Sequence, residues 1–526
     1  MEKFMSLRLF RSTARVSAMT GLSRITGLGR DIAFAQLLGG GMFADAFFVA
    51  FRIPNFFRRI FAEGAFSSAF VPVYSEFETE GGDLRAKIFL ELILGRLSLI
   101  LLIVTVAGVL GAPILVNILA PGFQNDPYKF QTTVTALRYT FPYLFFISLV
   151  AMAGGILNTR DRFSIPAITP ALLNVCLVLS IIFFVPIFEN PTIALSIGVL
   201  IAGFIQLGFQ LPFLRMEGRL PLPRIRANLE KDKVAQEGAK KVWNLMLPAL
   251  FGVSVAQLNV LINTILASFL VTGSVSWLYY SDRLMEFPLG VFGVALATVT
   301  LPALASHHNK QASREFSETL DWSLRLACFI AIPASVGLGI LAQPLIMVFF
   351  QYGEFNALDT TMAARSLVAF SYGLFAFILI KVLAPGFFAI KDTKTPVKAG
   401  VIAVVVNIVF SLALIQPLQH VGLALSTSIA GYANAILLFF WLRKRAIYVP
   451  MRGWLTYLCR IMLAVLVMGF ILEYFGNHLT NWNELNMLWR VVSIIQWITI
   501  GTAIYLLMLY FTGVRFWELM RKPAGY

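Results

Sequence analysis

Charged side chains that could bind an anion interrupt long apolar stretches of this sequence. Residues 279–290 read YYSDRLMEFPLG, whereas 242–281 and 287–306 contain no Asp, Glu, Lys or Arg. A charge at the centre of a bilayer costs about 2.5–3.5 kcal/mol on insertion scales, so it persists where it meets a partner or an aqueous cavity. Asp282 and Arg283 precede Glu286 by four and three residues, so these charges can pair along one helix face. Pairing explains why they are tolerated, but not why they are present.

A second charged group occurs in SRITGLGRD, near the start of the chain. Arg24 and Asp31 are seven residues apart and share one helix face, with Arg30 about a third of a turn away. Gly27 and Gly29 allow the helix to bend there. The alternative is that Arg24 snorkels to the membrane surface. Its position about ten residues into the apolar run disfavours that alternative.

The stretch ADAFFVAFRIPNFFRRIFAEGAF, residues 44–66, contains a third group. At about 100° per residue, four charged residues fall within about 40° of one another; they are Asp45, Arg52, Arg59 and Glu63. Pro54 is expected to kink the helix and shift this phase, so geometry does not separate Arg58 from Arg59. A polar stripe among phenylalanines predicts a cavity lining; an interfacial amphipathic helix is the alternative.

The three groups together contain an excess of positive charge. The cations are Arg24, Arg30, Arg52, Arg58, Arg59 and Arg283, and the acids are Asp31, Asp45, Glu63, Asp282 and Glu286. Lys381 is a further cation within an apolar run, and we assign it, with Glu63, a gating or secondary role. Guanidinium groups bind phosphate bidentately without losing charge. The sequence therefore predicts an anionic, phosphate-bearing substrate. The alternative is that the Arg and acidic side chains form a network that holds two halves of the protein together or gates the movement between them.

No pattern predicts catalysis, a metal ion or a cofactor. The four histidines lie at the edges of apolar runs, and no glycine-rich phosphate loop or carboxylate cluster for Mg²⁺ is found. DTKTP at 392–396 contains a single acid and is typical of a turn that opens a helix. We expect a transporter driven by ion or voltage gradients rather than an enzyme.

Composition places these charges in a membrane protein. Of 526 residues, 58% are hydrophobic and 13% are charged, with a mean hydropathy of +0.78. Soluble domains have about 25% charged residues. The net charge of +15 therefore indicates basic cytoplasmic loops rather than nucleic-acid binding. Fourteen transmembrane helices are predicted, at roughly 13–38, 44–72, 86–118, 134–157, 167–187, 192–214, 241–270, 276–304, 320–350, 362–388, 397–416, 420–442, 453–475 and 487–513.

The distribution of Lys and Arg predicts that both termini are cytoplasmic. Alternate connections are basic, and the loop at 215–241 alone has eight Lys/Arg against four Asp/Glu. The opposite connections contain one lysine, Lys129, with Arg138 just inside the next span. The positive-inside rule then assigns the basic side to the cytoplasm. The segment 75–88 is the exception, because its acids outnumber its bases.

An internal repeat relates two six-helix halves. Arg52 and Arg283 are 231 residues apart, and two proline pairs, Pro72 with Pro302 and Pro166 with Pro396, are each 230 apart. A parallel repeat about an axis along the membrane normal is the natural interpretation. It would place Arg283 across that axis from Arg52, with cations of both halves around one central chamber. Helices 13 and 14 lie outside the repeat.

Several motifs together closely resemble those of one bacterial family. They are SRITGLGRD, DAFFVAFRIPNFFRRIFAEGAFSSAFVP, ILNTRDRFSIPA, SWLYYSDRLMEFPLGVFGVALATVTLPAL and VLAPGFFAIKDTKTPVK. With the fourteen-helix layout they resemble the MurJ (MviN) lipid II flippases of the multidrug/oligosaccharidyl-lipid/polysaccharide (MOP) exporter superfamily. The resemblance runs from about residue 12 to 515, and RRIFAEGAFSSAFVP and SDRLMEFP are its specific blocks.

The resemblance implies an inner-membrane flippase that moves undecaprenyl-pyrophosphate-linked peptidoglycan precursor (lipid II) outward by alternating access. Lipid II and membrane lipids are the implied partners, and cell-wall synthesis proteins are candidate partners. The family's cavity residues correspond to Arg24, Arg30, Arg58 and Arg283, with Asp31, Asp45, Asp282 and Glu286 as acidic companions. Arg52 stands where other members can carry lysine, which indicates that positive charge is the requirement there. Some members bind sodium between helices 7 and 11, but 241–270 and 397–416 contain no matching acid.

The predicted architecture is an all-α polytopic membrane protein with two pseudo-symmetric lobes. We divide it into a first lobe of helices 1–6, a basic cytoplasmic loop, a second lobe of helices 7–12, and helices 13–14 with a lipid-tail groove and a cytoplasmic tail. The respective ranges are 1–220, 221–240, 241–448 and 449–526. Two alternatives are a flippase for another polyprenyl-linked saccharide and an ion-coupled drug exporter of the same superfamily. The exporter would favour cationic drugs, and hence an acidic cavity.

Overall fold

The computed structural model describes the backbone of residues 2–61, 65–80, 82–225, 232–478 and 480–514. Within these ranges it describes all side chains except those of 2–18, 57, 59–61, 65, 80, 248–249, 251–256 and 478. Regular structure in the described ranges is helical, without a strand, as the long apolar runs predict. The chain divides into two compact units, Met1–Gly273 and Ser274–Tyr526.

The first unit is a bundle of long helices. In chain order these are α1 (Glu2–Leu38), α2 (Met42–Phe61), α3 (Ala65–Glu80), α4 (Gly82–Leu110), α5 (Ala112–Leu119), α6 (Pro127–Thr140), α7 (Tyr143–Thr159), α8 (Ser164–Phe183), α9 (Pro191–Met216) and α10 (Lys233–Ser268). α1 packs on α8, α2 on α6 and α3 on α10. Stacked aromatic rings from α3 and α4, including Phe70, Tyr74 and Phe89, contribute to its core.

The second unit contains the remaining helices. They are α11 (Ser274–Pro288), α12 (Val294–Asn309), α13 (Ser313–Ile340), α14 (Ala342–Phe350), α15 (Ala357–Ala389), α16 (Lys394–Lys444), α17 (Trp454–Ile471) and α18 (Met487–Phe511). α15 packs against α11, α12, α13 and α16, so it is the central helix of this unit. α17 packs on α18 and on α13. Within α16, Gln419 has non-helical dihedrals (φ 52°, ψ −134°), two residues after Pro417.

Ten helical segments of the described ranges are long and apolar enough to span a membrane. They cover eleven of the fourteen predicted helices, because Lys394–Lys444 contains both 397–416 and 420–442. The other three predicted helices are 13–38, 44–72 and 241–270. The first two carry too many charged residues to qualify, and the third includes the undescribed side chains 248–249 and 251–256. The count of fourteen stays a prediction.

Several predicted single helices are interrupted. The prediction 86–118 is broken at Gly111, 134–157 at Phe141–Pro142, and 320–350 at Leu341. The helix 276–304 changes to a π-helix over Leu289–Gly293, directly after Pro288. Proline removes a backbone donor and clashes with the preceding turn, so the local register shifts although the apolar run continues. Such breaks occur inside uniformly apolar sequence, where hydropathy carries no boundary signal.

Backbone geometry repeats at the same 230-residue offset as the prolines. Asp161 and Lys391 occupy equivalent turns with φ of 59° and 61°. In both turns the next residue donates its N–H to a carbonyl five residues back, at 2.9 and 3.0 Å. Asp126 and Asn356 are the N-caps of α6 and α15, and each accepts N–H bonds from the residues two and three positions on. The internal repeat is thus present in local structure within each unit.

α10 belongs to the first unit, although the sequence analysis assigned residues from 241 onward to a second lobe. It packs against α3 and α4. The approach is close at Gly238, where an added Cβ would lie 2.4 Å from the Phe77 ring. The four-part division of the chain stays a prediction.

Candidate functional site

The charged cluster of α1 is anchored to α8. Arg30 is 7% exposed and Asp31 is 3% exposed. Arg30 Nη2 donates to Asp31 Oδ1 at 2.6 Å, and Nη1 donates to Asn174 Oδ1 at 2.9 Å. Asn174 Nδ2 in turn donates to the backbone carbonyl of Ser23 at 3.1 Å. Arg24, by contrast, is exposed. The two cations of this helix therefore differ: Arg24 is accessible, whereas Arg30 is held in place.

Asp45 is the first residue of the predicted polar stripe on α2 and is 1% exposed. Lys129 Nζ from α6 donates to Asp45 Oδ2 at 2.8 Å, and the Gly273 backbone N–H donates to the same oxygen at 2.8 Å. The Lys129 ammonium also lies 4.1 Å from the Phe123 ring centroid. From the sequence, Lys129 is only a lone basic residue among the connections on one side of the membrane. In the structure it is the ion-pair partner of Asp45, a predicted site residue.

The remaining charges of the stripe are only partly described. Arg52 and Arg58 are half-buried on α2. Arg58 Nε donates to Asn55 Oδ1 at 3.0 Å, three residues back on the same helix. The side chain of Arg59 and all of Glu63 lie outside the described residues, so the choice between Arg58 and Arg59 stays open.

In the second unit, the predicted pairing within α11 is observed. Arg283 Nη1 donates to Glu286 Oε2 at 2.9 Å, with the side chains 28% and 36% exposed. The Arg283 guanidinium also lies over the Tyr279 ring, 5.1 Å from its centroid. Asp282 is half-buried on the same helix. Arg283 is thus oriented by its own helix while part of its surface stays accessible.

Lys381 is exposed on α15. Its aliphatic stem runs past Gly293, where an added Cβ would lie 3.3 Å from Lys381 Cγ. Gly293 is the last residue of the π-helical stretch and directly precedes α12. The aliphatic part of Lys381 therefore lies where the start of α12 closely approaches α15.

Acids of the segment 75–88 pair with bases of neighbouring connections in the first unit. Arg160 and Arg219 both bond Glu78, at 2.6 and 3.4 Å, and Lys241 bonds Glu76 at 2.6 Å. The acidic excess that departed from the charge pattern therefore neutralises basic residues at the same end of the unit.

Asn174 and Lys129 are the contacts that sequence reasoning missed. An asparagine within the apolar run 167–187 was the available signal for Asn174, because a polar side chain inside a span is usually functional or bonded to another helix. For Lys129 the signal was that it is the one lysine in the connections predicted to lie opposite the basic, cytoplasmic ones. Neither signal names the partner, since the partners lie 144 and 84 residues away.

Comparison with known protein sequences matches this chain to one family. The family profile described as "Lipid II flippase MurJ" matches residues 34–493. A Vibrio cholerae protein described as a probable lipid II flippase MurJ is 43% identical, covering 98% of this chain and 99% of the relative. The Burkholderia cenocepacia lipid II flippase MurJ is 39% identical, covering 98% of this chain and all of that protein.

Solved structures give the same grouping. A structure of lipid II flippase MurJ in an inward closed conformation is 28% identical, with a TM-score of 0.77 over 96% of this chain and 99% of that one. An inward-facing multidrug resistance MATE family transporter of the MOP superfamily is 14% identical and shares the fold, with a TM-score of 0.66 over 81% of this chain and 95% of that one.

The helical architecture, the repeat and the charged residues within the spans define a polytopic membrane transporter with the fold of the MOP superfamily. More narrowly, the chain belongs to the MurJ family of lipid II flippases. The predicted family and the predicted all-α transporter architecture are confirmed.

Proposed function

We propose that this protein moves lipid II from the inner to the outer leaflet of the cytoplasmic membrane for cell-wall synthesis. Full-length similarity to curated lipid II flippases supports this assignment. The single observation within the chain that carries it is the exposed residue Arg24 in a predicted span, on the same helix as a cluster that immobilises Arg30. A charged side chain within an apolar membrane helix costs free energy, and binding of an anion to it offsets that cost.

We assign phosphate binding to the accessible cations and orientation to the buried charges. Arg24, Arg52 and Arg58 in the first unit and Arg283 in the second contact the pyrophosphate during the transport cycle. Arg30 and Asp31 shape α1, and Asp45 fixes α2 through Lys129. Asp282 and Glu286 orient Arg283, while Glu63 and Lys381 have gating or secondary roles. Arg59 belongs with the cavity cations as the alternative to Arg58. Guanidinium groups suit this task because each offers a planar fork of donors to phosphate oxygens.

Both termini are assigned to the cytoplasm on the basis of the Lys/Arg distribution. Cell-wall synthesis proteins that consume the product are candidate partners. Labelling of single cysteines introduced at residues 3 and 524 by a membrane-impermeant reagent tests the orientation. Labelling from outside intact cells would contradict it.

The function is tested with purified protein in liposomes containing fluorescent lipid II. We expect protein-dependent loss of lipid II from the leaflet in which it was placed, and reduced rates for Arg24→Ala and Arg283→Ala. Arg314→Ala is the matched control, because this arginine is exposed and pairs with Glu318 on its own helix. No protein-dependent movement would refute the assignment. Faster movement of another polyprenyl-linked saccharide would instead favour the related flippase activity.

A further inference from the structure

A buried carboxylate joins α13 to the connection that leads into the last two helices. Asp321 is 0% exposed. Its Oδ1 accepts the Tyr448 hydroxyl at 2.7 Å, the Trp454 indole N–H at 2.7 Å and the Met451 backbone N–H at 3.1 Å. Its Oδ2 accepts Arg325 Nε at 2.8 Å. Three of these four donors come from residues 448–454, which lie between α16 and α17 or at the start of α17.

Arg325 extends the same contact. Its Nη2 donates to the Arg452 carbonyl at 3.0 Å, and its guanidinium lies 5.1 Å from the Trp454 ring centroid. The Tyr457 hydroxyl donates to the Arg325 backbone carbonyl at 2.8 Å. The ion pair of Asp321 and Arg325 therefore holds both the connection and the first turn of α17.

A third set of bonds lies one turn before Asp321. The Val449 backbone N–H donates to Ser317 Oγ at 2.9 Å, and Ser317 Oγ donates to the Val449 carbonyl at 3.2 Å. Ser317, Asp321 and Arg325 are spaced four residues apart, so they form one stripe on α13. The segment 448–457 lies along this stripe.

We propose that Asp321 is a positioning residue that fixes the α17–α18 pair against α13 within the second unit. α17 and α18 lie outside the internal repeat, so the repeat supplies no packing partner for them. Their interface with α13 buries apolar residues such as Phe329 and Ile461, and its other end carries one directed bond, from the Tyr505 hydroxyl to the Phe329 carbonyl at 2.8 Å. Apolar contact alone allows neighbouring helices to slide, so the directed bonds set the register. A carboxylate that accepts three directed donors from residues 448–454 defines one register. Because Asp321 is buried with both oxygens engaged, it acts through α17 and does not contact substrate.

The consequence for transport rests on the proposed function. If α17 and α18 receive the lipid portion of the substrate, their register on α13 sets where that portion enters. Asp321→Asn keeps one accepting oxygen but removes the charge and sets an NH2 group against one of the buried donors, which shifts the docked equilibrium by roughly tenfold.

Docking is measured with the cysteine pair Ser317→Cys and Val449→Cys in a chain whose three native cysteines are replaced by alanine. We expect Asp321→Asn to slow disulfide formation about tenfold, in line with the loss of a buried hydrogen-bonded charge. Glu318→Gln is the matched control, because Glu318 lies on the same turn and bonds Arg314 on the protein surface. Unchanged cross-linking in Asp321→Asn would overturn the proposal. Tyr448→Phe and Trp454→Phe remove one donor each, and provide the same measurement if Asp321→Asn does not fold.

Transport is measured on the same variants in liposomes with lipid II. We expect Asp321→Asn to lose transport and the oxidised Ser317→Cys/Val449→Cys pair to restore it, with loss again after reduction. Melting temperatures of the oxidised and reduced variants are measured alongside, because a disulfide also stabilises a folded protein, and only rescue beyond that of equally stable variants indicates positioning. Loss of docking with normal transport would overturn the positioning role. Failure of the unmutated protein to move lipid II would refute the proposed function, while the cross-linking result would still decide whether Asp321 docks the helix pair.

Discussion

Lys129 and Asp45 form an ion pair almost wholly shielded from solvent. Lys129 Nζ lies 2.8 Å from Asp45 Oδ2, and the side chains are 5% and 1% exposed. The Gly273 N–H shares the same carboxylate oxygen, so the pair ties together α2, α6 and the segment that follows α10. Removing one partner of a buried pair costs about 3–5 kcal/mol, because the other charge stays buried without compensation.

We therefore expect Lys129→Met to lower the melting temperature strongly. Asp45→Asn combined with Lys129→Met should recover most of that loss, since no uncompensated charge remains and the amide oxygen still accepts the Gly273 N–H. Thermal unfolding of the purified protein in detergent measures both. Arg162→Met is the control: it removes an exposed pair with Glu217, and such pairs contribute about 0–1 kcal/mol. Equal effects of Lys129→Met and Arg162→Met would contradict this interpretation.

The second unit uses the equivalent position differently. Asp359 lies 230 residues after Lys129, and it accepts the Trp277 indole N–H at 2.8 Å. The sequence was sufficient to predict the repeat from prolines and arginines, because these occupy turns and helix starts with recognisable spacing. It was not sufficient to predict these bridges. Lys129 and Asp359 occupy equivalent positions of the repeat, but one is a lysine and the other an aspartate. Comparison of residue types therefore could not reveal that both form bridges.

The same distinction separates the contacts within the candidate site. Arg283 with Glu286 was predictable, because helical spacing alone places two residues of one helix side by side. Arg30 with Asn174 was not, because their meeting depends on α1 packing against α8. Hydropathy identified most spans. It could not locate the breaks at Gly111 and Leu341, since apolar residues continue on both sides.

Asn174 should control how Arg30 is held. Asn174→Leu removes the acceptor of Arg30 Nη1 and the donor to the Ser23 carbonyl. Because a hydrogen bond to a charged group contributes about 1.5–3 kcal/mol, we expect the free energy of unfolding to fall by that amount. Asn174→Asp keeps the acceptor and should retain more transport than Asn174→Leu. Ser180→Ala is the control on the same helix, because its hydroxyl bonds a carbonyl of its own helix, α8. Flipping rates in liposomes give the order, and equal rates for the Leu and Asp variants would exclude a role in holding Arg30.

Arg283 distinguishes phosphate binding from a simple charge requirement. Arg283→Ala should abolish transport at normal protein level, because its half-exposed pair with Glu286 contributes at most about 1 kcal/mol to stability. Arg283→Lys keeps the charge but loses the donor fork that suits phosphate, so it should remain strongly impaired. Flipping assays and membrane abundance measure the two quantities. Full transport by the lysine variant would favour a gate that needs only positive charge.

Asp392 should make stability depend on acid pH. The Thr395 hydroxyl and Arg445, whose Nη1 lies 2.6 Å away, hold the pKa of this carboxyl at about 2. A carboxyl with a pKa below its unfolded value of about 3.9 stabilises the folded form above that pH and loses the contribution as pH falls through the folded pKa. The difference in unfolding temperature between the unmutated protein and Asp392→Asn should be constant from neutral pH to about pH 4. It should then shrink towards pH 2, and a difference that persists unchanged would refute the assignment.

The membrane potential should drive transport in one direction. With the cytoplasm negative, each negative charge of the pyrophosphate gains about 2.3 kcal/mol per 100 mV on moving outward. Liposomes with potassium gradients and valinomycin can impose either polarity on the same protein. We expect outward-directed flipping to accelerate when the starting compartment is negative and to slow when the polarity is reversed. Arg283→Ala should show neither effect, which separates transport from leakage. Equal rates at both polarities would mean that the cations neutralise the headgroup as it crosses, and that another gradient supplies the energy.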